Sequence, residues 1–147
     1  MVIDDVLIGK SRSIAKCIKR IEEEYAGDPS NLENITILDA ITLNLQRACE
    51  SSIDLAMSMV KRLGLGIPDR SRDSFDMLKG AGVIDPGLCE NMKRMVGFRN
   101  IAVHQYQDLS TAVIENIIAR NMRDFTEFVE AVRRHDGGSA SRTGEKN

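Results

Sequence analysis

The sequence predicts an all-α protein, an up-and-down bundle of about five helices. Aromatic residues make up only 4% of the 147 residues, and no segment alternates apolar and polar residues as a half-buried strand does. Several segments instead repeat apolar residues at intervals of three and four, which is the spacing of one helix face. We therefore expect one helical domain over residues 1–135 and a disordered tail at 136–147, where the sequence becomes polar and rich in glycine.

Glycine, proline and capping residues divide the domain into five predicted helices. These cover residues 4–25, 31 or 34 to 63, 69–82, 85 to about 98–101, and 108 or 110 to about 134. Asn31 or Asn34 can cap the second helix and Ser110 the last, while Asp85 and Pro86 form a typical start for the fourth. We expect a long antiparallel pair of helices to form the spine of the bundle, with short connections between the helices.

Composition excludes several functional classes. The net charge of −2 gives no overall basic footprint, so any contact with RNA must come from a local patch. We find no signal peptide and no apolar run long enough to cross a membrane, which predicts a cytoplasmic protein. Cys17, Cys49 and Cys89 show no metal-ligand spacing and are expected to be reduced, buried thiols. The sequence therefore predicts neither a metal site nor a cofactor.

The run RNIAVHQY at residues 99–106 concentrates polar groups between two apolar helices. Arg99 takes the place at which the apolar stripe of the fourth helix, with Met92 and Met95, should have continued. An arginine is always charged and presents a planar fork suited to phosphate, whereas a histidine such as His104 can move a proton near neutral pH. This combination is typical of phosphodiester chemistry without a metal, with a base on the 2′-hydroxyl and a cation near phosphorus.

The spacing of Arg99 and His104 sets a geometrical problem. On an unbroken helix, five residues correspond to about 140° of net rotation, so the two side chains could not share a target. Either the backbone bends there or two chains cooperate. We expect the fourth helix to end before His104. We also expect a homodimer, since twofold symmetry would place two copies of the pair in one cleft and supply both an acid and a base.

The pattern of Arg99, Asn100, His104 and Tyr106, after a long helix and before an amphipathic one, resembles the HEPN superfamily and, within it, the HepT-like ribonuclease toxins. The resemblance extends over residues 1–135 and includes the segment ITLNLQRACESSIDLAMSMV in the second helix. It implies metal-independent cleavage of RNA by a homodimeric toxin, with Arg99 and His104 as the catalytic pair and Asn100 as a supporting residue.

The same resemblance implies a partner and a means of control. Toxins of this kind pair with a minimal nucleotidyltransferase antitoxin, which transfers AMP to the tyrosine that corresponds to Tyr106. A phosphate and an adenosine beside Arg99 would occupy the cation and obstruct the entry of RNA.

Two other interpretations stay open on the sequence alone. The chain could be a HEPN dimer that binds RNA, nucleotide or a nucleotidyltransferase without cutting. It could also be a helical scaffold in which Arg99 or His104 caps carbonyl groups or pairs with a carboxylate such as Asp108. Cleavage of RNA that is lost on mutation of Arg99 and His104 separates the enzyme from both.

Overall fold

The computed structural model describes the backbone of residues 2–146 and the side chains of residues 5–136. Over that range it contains six α-helices and two short 3₁₀ turns, and no strand. The helices are α1 (Val2–Tyr25), α2 (Ile35–Arg62), α3 (Asp73–Gly80), α4 (Pro86–His104), α5 (Thr111–Arg120) and α6 (Met122–Lys146), with 3₁₀ turns at Pro29–Glu33 and Tyr106–Asp108. The prediction of an all-α bundle is confirmed, with six helices where about five were expected.

The helix α2 is the central element. It packs along α1 over most of its length and also contacts α3, α4 and α6. The core between these helices consists mainly of aliphatic side chains, and Phe75 of α3 meets Phe128 of α6 edge to face, with ring centroids 5.3 Å apart. Most of the apolar positions at helical spacing are buried, including Ile14, Ile21, Ile41, Leu45, Met59, Met92, Met95, Ile114 and Phe125. Others that were expected to face inward are only partly buried, among them Ile18, Leu38, Leu63, Ile118 and Met122.

Local signals in the sequence fix most helix ends. The side chain of Asn34 accepts from the backbone N–H of Ile37, so Asn34 is the cap of α2 rather than Asn31. Gly64 ends α2 with a positive φ of 65°, a conformation that costs a glycine little. Asp85 caps α4 by accepting from Leu88, and Ser110 caps α5, both as predicted.

The end of the fourth helix was predicted wrongly. Instead of stopping near residues 98–101, α4 continues to His104, and the backbone N–H of Gln105 still donates to the carbonyl of Ile101. Phe98 and Ala102, one turn apart, are both buried and hold this last part of α4 against the core. A cation within the apolar stripe therefore did not end the helix.

The last predicted helix is in fact two, α5 and α6, because the chain turns at Asn121. The Asn121 side chain donates to the carboxylate of Asp124 at 2.9 Å, and Asn91 of α4 donates to the same carboxylate at 3.2 Å. Asp124 is only 5% exposed, and a buried carboxylate needs such donors. The turn at Asn121 thus supplies one of the two donors to the buried Asp124 carboxylate. Helical periodicity in the sequence does not reveal this contact.

The predicted disordered tail at 136–147 lies almost wholly outside the described side chains, which end at residue 136. It stays a prediction. Across the described residues, none of the helices combines the length and the apolar character that a membrane crossing requires.

Candidate active site

Arg99 lies on the side of α4 that faces α2, at the rim of the core. Its Nε donates to Oε2 of Glu50 at 3.3 Å, and its Nη1 donates to Oδ1 of Asn100 at 3.1 Å. Gln46, one turn before Glu50 on α2, donates to the same Glu50 oxygen at 3.4 Å. The Arg99 side chain is 31% exposed, so part of it still faces solvent. Arg99 pairs with Glu50 and not with Asp108, the carboxylate considered from the sequence.

His104 is the last residue of α4 and is exposed. Because α4 is unbroken between Arg99 and His104, the two side chains diverge by about 140° around the helix axis. The expectation that a bend brings them together within one chain is therefore wrong. The other possibility raised by the sequence, cooperation between two chains, stays a prediction.

Tyr106 lies in the 3₁₀ turn directly after α4. Its hydroxyl donates to the carboxylate of Asp39 on α2. The hydrogen bond to the Asp39 carboxylate stabilises the neutral phenol, and partial burial disfavours the phenolate. Both effects raise the pKa of Tyr106 above its ordinary value. Tyr106 is nevertheless 45% exposed. An incoming molecule can therefore reach its hydroxyl oxygen once the hydrogen bond to Asp39 is broken.

Asp39 and Glu50 are the residues of the site that sequence reasoning missed. They are eleven residues apart on α2, which is three helical turns and about 20°, so they lie on the same face. One binds Tyr106 and the other binds Arg99, and α2 therefore positions both ends of the motif. The eleven-residue spacing of two acids was visible in the sequence, but nothing there indicated that α4 would pack beside them.

Apolar side chains are exposed around the motif. Ile101 is 38% exposed and Val103 is 41% exposed. Val103 follows Arg99 by one helical turn and so continues the direction of the apolar stripe of α4. The polar motif thus lies beside apolar side chains that are exposed within the described part of the chain.

Three cysteines lie in the helices around this site, and Cys49 directly precedes Glu50 on α2. Cys17, Cys49 and Cys89 are free and buried, as predicted. Burial and the hydrogen bond to Asp76 raise the pKa of Cys89 to about 11, which keeps it a neutral thiol near pH 7. Asp76, Cys89 and Glu90 are close enough to share a cation. Lys93, however, donates to both carboxylates at 3.1 Å and supplies that positive charge itself.

A helical bundle that presents an arginine and a histidine to solvent, with the carboxylate of Glu50 already paired to the arginine, has chemical groups suited to acid–base cleavage of a phosphodiester. The family model described as Ribonuclease HepT-like matches residues 14–132, and the chain belongs to this family. The resemblance identified from the motif is therefore confirmed, and with it the assignment to a class of ribonucleases.

Relatives of known structure or function agree with this assignment. The mRNA nuclease HepT of Shewanella oneidensis is 39% identical over 131 residues, covering 89% of this chain and 98% of the relative. A solved structure of the tri-AMPylated Shewanella oneidensis HEPN toxin in complex with the MNT antitoxin is 42% identical with a TM-score of 0.83, over 88% of this chain and 97% of that one. The YutE protein of Bacillus subtilis, 17% identical with a TM-score of 0.67 over 83% of this chain and 87% of that one, shares the fold.

Proposed function

We propose that the chain is the ribonuclease toxin of a toxin–antitoxin pair, and that its active site forms only between two copies of the chain. One observation carries the proposal: Arg99 and His104 lie on one unbroken helix, too far apart around its axis to act on the same phosphate. A twofold axis beside the last turn of α4 would bring two arginines and two histidines into one cleft. It would also cover Ile101 and Val103, which are exposed in the single chain.

The chemistry follows from these groups. The histidine of one copy takes the proton of the 2′-hydroxyl, whose oxygen then attacks the adjacent phosphorus. The bond from phosphorus to the 5′-oxygen breaks, and the histidine of the other copy gives that oxygen a proton. Arg99 stabilises the charge that develops on the phosphate. Asn100 supports Arg99 through its hydrogen bond to Nη1, and the cycle needs neither a metal nor a cofactor.

Control by a minimal nucleotidyltransferase antitoxin is part of the same proposal. The related Shewanella toxin is tri-AMPylated and bound to an MNT antitoxin. In this chain Tyr106 is the acceptor we propose, because its hydroxyl is the exposed nucleophile closest in sequence to His104. Once esterified, its oxygen can no longer donate to Asp39, and the added phosphate would be repelled by that carboxylate.

The decisive experiment measures cleavage of total RNA by purified chain and by the variants R99A and H104A. Intact mass must first confirm that no preparation carries AMP. Arg94, exposed five residues earlier on α4, and His135, the other histidine, provide the matched controls R94A and H135A. We expect cleavage from wild type and both controls and none from R99A or H104A. Retained cleavage in both would overturn the catalytic assignment, and RNA binding without cleavage by wild type would favour the non-catalytic alternative.

Mixing tests whether the site is shared. When wild type and H104A chains are refolded together in equal amounts, about a quarter of random dimers contain two intact histidines. A shared site that needs both therefore leaves about a quarter of the activity. Independent sites in each chain would leave about half, and that result would overturn the proposal of a shared site.

A further inference from the structure

A groove opens between α1 and α2 beside the candidate active site. Its walls include Ser13, Lys16 and Arg20 from α1 and Leu43, Asn44 and Arg47 from α2, and no carboxylate lines it. All three cations are exposed. In a chain whose net charge is −2, this is a local concentration of positive charge of the kind that an anionic polymer requires.

The cationic side chains on α1 form a row parallel to the helix axis. Arg12, Lys16 and Arg20 succeed one another at four-residue intervals on α1, so they form a row with a spacing of about 6 Å. Arg20 also pairs with Glu23 at 3.4 Å and Glu24 at 3.1 Å, at the far end of the row. Lys16 and Arg47 face the groove from opposite walls and are its two principal cations.

The groove adjoins the motif through α2. Leu43 lies one turn after Asp39, which binds Tyr106, and Arg47 lies three residues before Glu50, which binds Arg99. Residues three and four apart are neighbours on a helix surface. The wall of the groove and the strip of α2 that positions the motif are therefore side by side.

We propose that this groove binds the sugar–phosphate backbone of the RNA substrate next to the point of cleavage. The inference rests on the proposed function, since it assigns the path of that enzyme's substrate. Lys16 and Arg47 would contact phosphates. Asn44 uses its amide nitrogen to donate to the carbonyl of Ala40 at 2.8 Å, which leaves its side-chain oxygen as an acceptor for a ribose hydroxyl. Leu43, 42% exposed, offers apolar surface to a base.

RNA is favoured over an acidic protein surface by this lining. The cations on the two walls suit a regularly charged strand, and the α2 wall adjoins the strip of helix that contacts Arg99 and Tyr106. An acidic partner would also be attracted by the charge, but the nearby Arg99, which binds phosphate in the proposed function, favours RNA.

The test measures binding of a fluorescein-labelled 12-nucleotide single-stranded RNA by anisotropy at several salt concentrations, using H104A so that the RNA stays intact. The groove variant adds K16A and R47A. The control adds K61A and R123A, two exposed cations on α2 and α6 outside the groove, and so makes the same change in net charge. Thermal melting of both verifies the fold.

We expect the groove variant to bind at least tenfold more weakly near 0.1 M salt, with a salt slope reduced by about 1.4 for two lost phosphate contacts. In the cleaving protein, the same pair of changes should raise KM for the 12-nucleotide RNA. Equal affinity of the groove variant and the control would overturn the proposal, as would loss of binding to a nucleotidyltransferase antitoxin with RNA affinity intact. Failure of the proposed function is a separate result, because it appears as absence of cleavage by wild type whatever the binding.

Discussion

Glu50 of α2 holds the guanidinium of Arg99 of α4 through a hydrogen bond of 3.3 Å between Oε2 and Nε. This contact uses Nε, and a second hydrogen bond runs from Nη1 to Asn100, so Nη2 and the other hydrogen of Nη1 are the donors that could bind phosphate. Because both side chains are about one-third exposed, at 31% and 37%, the pair contributes at most about 1 kcal/mol to stability. In the proposed mechanism its importance therefore lies in orientation, and Glu50 would act as a positioning residue.

Replacing Glu50 should affect turnover more than folding. E50A removes the acceptor and frees the arginine to adopt other rotamers, so we expect kcat to fall roughly tenfold, within the range that misplacement of a catalytic group causes. E50Q keeps an oxygen acceptor and should retain most of the activity. Steady-state cleavage and thermal melting of both variants check this. An E50A enzyme as fast as wild type, or an E50Q enzyme as slow as E50A, would contradict the positioning role.

Tyr106 should ionise at a higher pH than an ordinary tyrosine, because its hydroxyl donates a hydrogen bond to the carboxylate of Asp39. In the unfolded chain the pKa of Tyr106 is about 10. Because the folded state has the higher pKa, the hydrogen bond adds to the free energy of unfolding below about pH 10. This contribution is lost as the pH rises through the pKa of the folded state. The chain has two tyrosines, so a Y25F background leaves only Tyr106 to titrate. Ultraviolet absorbance of the phenolate should show its pKa falling towards about 10 in D39N. An unchanged titration curve would mean that the hydrogen bond does not form in solution.

The sequence predicted the helical class, most helix starts and, through the motif at residues 99–106, the ribonuclease family, because these depend on periodicity, caps and residue chemistry near one another in the chain. Asn34, Asp85 and Ser110 each act on a neighbour three residues away. The contacts that it could not predict connect different helices, as Glu50 does with Arg99 across 49 positions. The end of α4 belongs to the same group, since it depends on burial of Ala102 against the rest of the bundle.

Asp124 also makes a contact between helices that the sequence did not predict, and the contribution of this contact to stability can be measured. D124A leaves the side-chain amides of Asn91 and Asn121 without their shared acceptor, which should cost about 1–3 kcal/mol. For a protein of this size, that corresponds to a fall in Tm of roughly 3–10 °C. D124N keeps one acceptor oxygen and should lose less. The matched control is D69A at an exposed position, and a D124A protein that melts with D69A would show that the α5–α6 turn does not depend on the carboxylate.

The proposed dimer places Val103 at an interface, and a valine elsewhere on the surface offers a close control. Val103 on α4 is 41% exposed and Val113 on α5 is 44% exposed, so V103E and V113E introduce the same charge at similar cost to the single chain. A glutamate within an interface would be buried without a partner, whereas Val113 is in the first turn of α5, where an acidic side chain is favourable.

In sedimentation velocity, V103E should be a monomer and should not cleave RNA, while V113E should match wild type in both mass and activity. Because Arg99 and His104 are untouched in V103E, its inactivity would trace the loss of cleavage to the missing second chain. A monomeric V103E that still cleaves RNA would require each chain to carry a complete site, despite the divergence of the two side chains around α4.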